Sequence, residues 1–407
     1  MILDAQLEQM TAADMAGVVR RVLNDERAQP LSWAFRPMVW VMMNPSTVGL
    51  YQVSGVAENG AGRTVPWEVV LKVLGDPPHS GGPFDVGCVH EPQDWSYWKR
   101  EAQAFGSGLL SDLPGPFVAV RCFEVTSAAD GMQWLWLEAL NGAEAKAPLT
   151  PEQLTDMAYD LGAFAAQWAE KRAQLDEQPW LAQHWLRSIA TFARTFGVDH
   201  AATHAGCWNN PLLTSVGIPP STQDRVAALV HATDDLLDLH ESLPTTLAHH
   251  DAHADNLFWD RSARGRRTVA IDWGFAGRAP VGADLGVHIA CNILRGAVDP
   301  LVAREFDRSS TAAYLQGLRD FGWRGDEEAV LFARATSAAL EITISTNGDV
   351  AQLCDDFEAP DLAWPHARAR ARGMSVEEVM RRWSARFLHT LDMGDEARHL
   401  AGRLTHR

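Results

Sequence analysis

The chain has 407 residues, 52 of them acidic and 35 basic, and its formal charge of −17 argues against binding to nucleic acid or to anionic membranes. Hydrophobic residues at 46% and charged residues at 21% are typical of a globular protein, and the length suffices for two lobes around a cleft. The net charge suits a cationic substrate, although ordinary acidic solubility is the simpler explanation.

The cysteines and the first residues indicate the cellular compartment. The 5 cysteines are widely spaced and odd in number, a pattern typical of reduced thiols rather than of a disulfide framework. The start, MILDAQLEQM, carries acids and no continuous apolar core, so we expect no signal peptide. No uncharged apolar run approaches the length of about 18 residues that a membrane span requires. These features predict a cytoplasmic protein.

The predicted elements of the first 140 residues are mostly antiparallel strands. An amphipathic helix at 10–24 lies in a predicted N-terminal helical extension, residues 1–35. Two strands then flank a turn at 44–49, and a third strand covers 67–74. A helix is predicted at 94–106, with Asp94 as its cap. The segments PFVAVRCFEV and MQWLWLEAL read as two further strands.

From about residue 150 the pattern becomes helical. Thr150 is a plausible N-cap and Pro151 suits the first helical position of the segment that follows. The exception lies at 245–285, where two short strands flank a turn. The sequence therefore predicts an α+β protein with a small antiparallel β lobe, residues 1–140, and a large, mainly helical lobe, residues 141–407.

Lys72 lies inside the apolar strand VVLKVL, where an unpaired ammonium group would be costly. The helix predicted at 94–106 carries Glu101 beside its apolar stripe. A glutamate on a buried face requires a cation, so we expect Glu101 to pair with Lys72. The alternative is that both side chains lie at the margins of their elements and face solvent.

A second constellation lies in the stretch HHDAHADN at 249–256. Phosphoryl transfer needs a carboxylate that accepts the hydroxyl proton and oxygen ligands that hold magnesium across the phosphates. Asp251 is suited to the first task, and Asn256 and Asp272 are suited to the second. Each residue alone is weak evidence, but the ordered set with Lys72 and Glu101 is specific.

With these motifs the sequence resembles the aminoglycoside phosphotransferase and choline kinase family, whose members carry a motif like H-G-D-x-H-x-x-N. The match includes His249, Asp251, His253 and Asn256, and Ile271 to Trp273 resembles the family's magnesium-binding segment. The resemblance implies a protein-kinase-like fold, ATP and Mg2+ as cofactors, and supporting roles for His249, His253 and Asp284. Only eleven residues separate Asp272 from Asp284, which favours a small-molecule acceptor over a protein.

The same resemblance implies where the nucleotide binds. Ser46, Thr47 and Gly49, with backbone amides, are expected to cover the phosphates. Glu138 and Leu140, after the strand QWLWLEAL, are expected to offer backbone groups to the adenine edge. The turn lacks the G-x-G-x-x-G pattern of protein kinases, so the sequence leaves the choice between ATP and GTP open.

Two features are specific to this chain. His250 stands where the family usually has glycine, and we expect its side chain to point away from the site. The acidic segment 347–362 is a candidate wall for a cationic, hydroxyl-bearing acceptor, through Asp355, Asp356 and Glu358. A solvated surface loop is the simpler interpretation of that segment.

Two other functions remain to be compared with phosphotransfer. One is a metal-dependent hydrolase that uses His249, Asp251, His253 and Asp255, although the usual downstream ligands of such a site are missing. The other is a catalytically inactive kinase fold that serves as a binding module. The sequence names no acceptor among aminoglycosides and other antibiotics, sugars and amino alcohols, and it fits a monomer or a homodimer.

Overall fold

The structure is a computed structural model, and it describes most of the chain. The described residues are 2–38, 46–76, 90–111, 113, 115–128, 131–140, 148–195, 208–209, 211–260, 266–341 and 363–406. None of the helices in these ranges is long and apolar enough to cross a membrane.

A five-stranded antiparallel sheet dominates the first part of the chain, with the strand order β1-β2-β3-β6-β5. Its strands are β1 Gln29–Pro37, β2 Thr47–Glu58, β3 Thr64–Leu74, β5 Cys122–Ser127 and β6 Gln133–Glu138. Strand β1 begins inside the segment 1–35 that was predicted as helical, while the strand predicted at 67–74 is confirmed within β3. Strand β3 is central, so Lys72 lies between two neighbouring strands.

Helices cover both faces of this sheet. Helix α1 (Ile2–Glu8) and helix α2 (Ala12–Leu23) lie on one face, where Met15 and Val19 pack with Val53 and Val69. A capping box at Thr11 fixes the start of α2. On the other face lies helix α3 (Arg100–Gly106).

Helix α3 is shorter than the predicted helix 94–106, and Asp94 does not cap it. The Asp94 carboxylate instead accepts a hydrogen bond from the Ser96 backbone N–H at 3.0 Å, which closes a local turn. Trp95 and Trp98 therefore precede the helix, while Glu101 is in its first turn.

The rest of the chain is mainly helical. Its helices are α4 Pro151–Ala169, α5 Arg172–Asp176, α6 Trp185–Thr195, α7 Pro211–Ser215, α8 Thr222–Ser242, α9 Ala283–Arg295, α10 Ala303–Asp320, α11 at 327–341, α12 Ala363–Arg372 and α13 Val376–Thr405. Thr150 caps α4 through a capping box with Gln153, as predicted.

Two small sheets are embedded among these helices. The first has the order β4-β9-β8, with β4 Phe117–Ala119 parallel to β9 Arg267–Ala270, and β8 Leu257–Asp260 antiparallel to it. The second pairs β7 Thr245–Ala248 with β10 Gly277–Pro280. The segment PFVAVRCFEV, predicted as one strand, is divided between β4 and β5. The architecture is the predicted α+β arrangement of an antiparallel β lobe and a larger helical lobe.

Helices α4 and α10 approach each other at two glycines. A Cβ at Gly162 would collide with the backbone oxygen of Tyr314, and one at Gly317 would collide with that of Tyr159. The absence of side chains at these two positions therefore sets the distance between the two helices.

We predict that Gly162→Ala lowers the free energy of unfolding by about 1–3 kcal/mol through overpacking, even though alanine favours helix formation. The matched control is Gly402→Ala in α13, where an added Cβ meets no atom within 4 Å. That variant should be neutral or more stable by up to about 1 kcal/mol. Denaturant unfolding measures both, and equal effects of the two substitutions would contradict the close approach.

Candidate active site

Lys72 connects the two lobes through a buried ion triad. Its Nζ lies 2.6 Å from Glu101 Oε2 and 2.8 Å from Asp272 Oδ1. The Lys72 side chain is 9% exposed and the Glu101 side chain 2%, whereas Asp272 is 33% exposed and opens toward solvent. The predicted pairing of Lys72 with Glu101 is therefore present, and Asp272 is an additional partner.

The charges of the triad depend on one another. Burial lowers the pKa of Lys72, but the charges of Asp272 and Glu101 outweigh this effect and the net shift is upward. Burial raises the pKa of Asp272, but the Lys72 ammonium and its hydrogen bond bring the net pKa below the usual value. The pairing thus favours the charged form of both Lys72 and Asp272.

Asp251 is held by two neighbours in the catalytic loop, which we define as residues 249–256. Asn256 Nδ2 donates hydrogen bonds to Asp251 Oδ2 at 2.8 Å and to its backbone oxygen at 3.0 Å. His253 Nε2 lies 3.0 Å from Asp251 Oδ1. Since the Asp255 backbone N–H donates to His253 Nδ1, the proton of a neutral His253 is on Nε2 and points at Asp251. Both carboxylate oxygens of Asp251 are therefore oriented.

His249 has the same arrangement and ties the loop to the segment that carries Asp272. Its Nδ1 accepts the Asp251 backbone N–H at 3.2 Å, so its Nε2 donates to the Ile271 oxygen at 2.8 Å. The Ile271 N–H in turn donates to the Asn256 backbone oxygen at 2.9 Å. These bonds place Asp251 and Asn256 beside the residue that precedes Asp272.

Helix α9 supports the catalytic loop through hydrogen bonds to the loop backbone. The Asp284 carboxylate accepts the backbone N–H groups of His249 at 2.6 Å and His250 at 2.8 Å, as expected for a supporting residue. Further along the helix, His288 Nδ1 lies 2.8 Å from the Ala252 oxygen, and Asn292 Oδ1 accepts the Ala254 N–H at 2.9 Å.

His288 and Asn292 were not predicted. The spacing of Asp284, His288 and Asn292 is i, i+4, i+8, which places three polar side chains on one face of an otherwise apolar helix. That polar stripe is the signal from which the sequence could have identified them.

The oxygen donors at the site fit a magnesium ion. Because Asn256 Nδ2 faces Asp251, its Oδ1 faces the opposite way, and Asp272 supplies a partly exposed carboxylate. Mg2+ prefers one or two such oxygens together with substrate phosphates.

The same geometry disfavours the hydrolase interpretation. His249 and His253 each have both ring nitrogens engaged, with loop atoms and, for His249, also with the Ile271 oxygen, so neither offers a lone pair to zinc. Within the described ranges, no group of three or more His, Cys, Asp and Glu side chains is arranged to hold a metal ion.

The residues expected at the nucleotide lie as follows. Ser46 and Thr47 are both 5% exposed, so their side chains are largely buried, and Thr47 and Gly49 belong to strand β2 rather than to a turn. The register shifts between Thr47 and Gly49, which bulges this strand. Glu138 ends β6 and its N–H is bonded to the Arg121 oxygen, and the half-buried Leu140 packs under the sheet.

Asp355, Asp356 and Glu358, the candidate acids for the acceptor, lie outside the described residues, as do the first two residues, 44 and 45, of the predicted turn. Of the cysteines, the structure describes Cys122 and Cys291, and both are free thiols.

Glu341, at the end of α11, is an acid that sequence reasoning missed. Its Oε2 is buried without a hydrogen-bond partner among the described residues, although the side chain as a whole is partly exposed. Burial first, and then the charge of Asp251, raise its pKa to about 8. The Trp185 indole N–H lies close enough to oppose this shift, but it falls outside hydrogen-bond geometry. A glutamate inside the apolar run SAALEI was the available signal.

Comparison with known proteins gives one family. A family model described as the phosphotransferase enzyme family, APH, matches residues 107–325, more than half of the chain. The matched range includes the catalytic loop and Asp272, while Lys72 and Glu101 precede it. No curated protein matches the sequence.

Several solved structures resemble the chain at low identity. An amicoumacin kinase in complex with AMP-PNP and Ca2+ is 12% identical over 84% of this chain and 88% of its own, with a TM-score of 0.45. An ethanolamine kinase from Plasmodium vivax is 8% identical over 92% and 85%, with a TM-score of 0.44. A choline/ethanolamine kinase family protein from Mesorhizobium loti is 15% identical over 87% and 92%, with a TM-score of 0.41.

The raised pKa of Glu341 predicts a pH-dependent stability. The unfolded carboxyl ionises near its ordinary value of 4.5, while the folded one stays protonated to about 8. The folded state therefore loses stability as pH rises through this interval. The melting temperature of Glu341→Gln minus that of the wild type should grow between about pH 5 and about pH 8 and then level off.

Glu327→Gln removes an acid of the same helix whose side chain is 44% exposed and pairs with Arg319, and it controls for the loss of one acidic group. A Glu341→Gln difference that stays flat over this pH interval would show that Glu341 is ionised in the folded protein.

Proposed function

Because the chain belongs to the phosphotransferase enzyme family whose model it matches, we propose that it transfers the γ-phosphate of ATP to a hydroxyl group of a small molecule. The observation that carries this proposal is the convergence of two groups of residues on one cleft. The Lys72 triad and the pair formed by Asp251 and Asn256 meet through the hydrogen bonds of Ile271.

The charges of the site residues determine the role that each has in this reaction. Lys72 contacts the phosphates of the nucleotide, and Glu101 holds its ammonium group in place. Asn256 and Asp272 would hold Mg2+, which supplies positive charge that neutralises the phosphates. Asp251, oriented by Asn256 and His253, accepts the proton of the attacking hydroxyl. Catalysis of this type depends on positioning and on charge neutralisation.

The nucleotide lies under strand β2, where the bulge between Thr47 and Gly49 and the Ser46 segment approach the phosphates. The backbone of Glu138 and Leu140 contacts the adenine edge. The choice between ATP and GTP depends on which backbone groups face the base, because adenine and guanine present opposite donor and acceptor patterns at this edge. The acceptor is an aminoglycoside or other antibiotic, a sugar or an amino alcohol, and the free thiols suit a cytoplasmic enzyme.

We predict that Asp251→Asn lowers kcat by about 100- to 10,000-fold, the contribution typical of a general base. Nucleotide affinity should be nearly unchanged, because Asp251 does not contact Lys72 or Asp272 in the ion triad. Phosphate transfer and equilibrium binding of an ATP analogue measure the two quantities separately.

The matched control is Asp255→Asn, which removes a carboxylate from the same loop at a side chain that is 68% exposed. Phosphotransfer should persist in this variant, whereas a hydrolase that binds metal through His249, Asp251, His253 and Asp255 would lose activity in both. Wild-type turnover by Asp251→Asn would overturn the proposed mechanism. Activity restored by zinc after magnesium is removed would favour the hydrolase.

The acceptor is identified by measuring ADP release with aminoglycosides, other antibiotics, sugars and amino alcohols in turn. The Asp251→Asn protein serves as the blank in each assay, because it binds nucleotide without transferring phosphate.

A further inference from the structure

His250, which precedes Asp251, has a backbone conformation that glycine adopts at no cost. Its φ is 64°, and its side chain is nevertheless buried, with 3% of the residue exposed. A side chain in the left-handed region is disfavoured sterically, so an interaction of the imidazole must offset that cost. Asp284 fixes the backbone N–H of His250 but does not touch its ring.

The imidazole lies between an aromatic ring and a glycine. On one side it stacks on Trp185, with the ring centres 5.2 Å apart and the planes inclined by 23°. On the other side is Gly277, where a Cβ would lie 2.9 Å from His250 Nε2. That Nε2 has no hydrogen-bond partner in the described part of the chain. Burial, with smaller repulsion from His249, Arg100 and His240, holds the pKa of His250 well below its ordinary value, so the stack joins two neutral rings.

Trp185 belongs to a group of aromatic side chains that we call the aromatic wall, composed of Trp95, Trp185, Phe192 and Phe275. Trp185 lies 4.6 Å from Phe275 and 5.7 Å from Trp95, measured between ring centres. Trp95 in turn contacts Phe192 at 6.0 Å. Trp95, Phe192 and Phe275 are partly exposed, so the wall presents an apolar surface.

The position of the aromatic wall is close to Asp251, where the acceptor hydroxyl is expected. Phe275 is three residues after Asp272, and Trp185 is next to Glu341, whose pKa is raised in part by the charge of Asp251. A molecule whose hydroxyl meets Asp251 therefore has the wall beside it. His250 is adjacent to Asp251 in the chain and its imidazole stacks on Trp185, so it links the catalytic loop directly to the indole.

The start of helix α6, which carries Trp185 of the aromatic wall, is held by helix α8. Glu241 of helix α8 binds Arg187 at 2.9 Å and His184 at 3.0 Å, which fixes the start of helix α6. His184, like His250, has a positive φ, of 56°. The stack thus joins two segments: in one the stacked residue, His250, is itself left-handed, and in the other the left-handed His184 directly precedes the stacked Trp185.

We propose that His250 is a positioning residue for the acceptor: its ring fixes Trp185, and with it the aromatic wall, at a set distance from Asp251. The inference rests on the proposed phosphotransferase function and extends it, since it assigns the wall to an acceptor that presents a flat or apolar face next to its reacting hydroxyl. The nucleotide lies on the Lys72 side and does not involve this contact.

Three substitutions of His250 separate the ring from the backbone. His250→Gly removes the ring and the backbone cost together, so the relief of backbone strain partly offsets the cavity that it leaves, and His250→Asn keeps a residue that tolerates positive φ. Both should raise the KM for the acceptor by about tenfold, the upper range for one aromatic contact, with an unchanged KM for ATP. His250→Phe retains a ring, but its larger side chain is disfavoured at positive φ and tight against Gly277, so it should restore the acceptor KM only in part.

Trp185→Leu tests the contact from the other side. If the stack is the route of the effect, the double variant with His250→Gly should be no worse than the poorer single variant. Additive effects, equal changes in both KM values, or a wild-type acceptor KM in His250→Gly would overturn the proposal.

A crystal structure of His250→Gly provides a readout that needs no acceptor. The Trp185 indole should shift or change rotamer relative to the wild-type crystal structure, and an unmoved indole would overturn the role of His250 even in an active enzyme. A displaced indole in a protein that transfers phosphate to no acceptor would instead contradict the proposed function.

Discussion

The ammonium group of Lys72 is the point at which the two lobes depend on each other. It pairs with Glu101 and Asp272, which come from helix α3 and from the segment after strand β9. Removing one partner of such a buried pair costs about 3–5 kcal/mol, because a desolvated charge is left behind. The neighbouring Arg100 sets the position of helix α3 from the helical lobe, since its guanidinium donates to the backbone oxygens of Trp180 and Gly274. Arg100 and Lys72 therefore hold Glu101 from opposite sides of the cleft.

Helix α9 fixes the backbone of the catalytic loop through the polar side chains on one of its faces. Asp284, His288 and Asn292 are spaced by four residues, and they bind successive backbone groups of the catalytic loop, at 249 and 250, at 252 and at 254. An irregular segment with buried polar groups needs partners for its backbone, and this helix face supplies them in order. With the loop backbone fixed in this way, the side chain of Asp251 remains partly exposed, while Asn256 and His253 orient its carboxylate.

The sequence predicted the pairing of charged residues better than it predicted the bounds of the helices and strands that contain them. Lys72 and Glu101 were paired correctly because a buried charge demands a partner whatever the surrounding geometry. The predicted start of helix α3 was wrong because the backbone oxygens of Trp95 and Asp94 accept hydrogen bonds from Arg100, and no local sequence pattern indicates these bonds. The segment PFVAVRCFEV divides because β4 pairs with the distant β9 while β5 pairs with β6. Glu341 was not predicted as a site residue because only tertiary packing brings it near Asp251.

The two segments of the site share one local geometry. Strand β7 ends at Ala248 and strand β9 ends at Ala270, and in each case the second residue beyond the strand, His250 or Asp272, has a positive φ. Backbone strain of this kind persists only where the surroundings impose it, here through Asp284 at one position and Lys72 at the other. Asp272 must bear its carboxylate, so glycine is excluded there. At position 250 glycine would suffice for the turn, and the imidazole is explained by the indole on which it stacks.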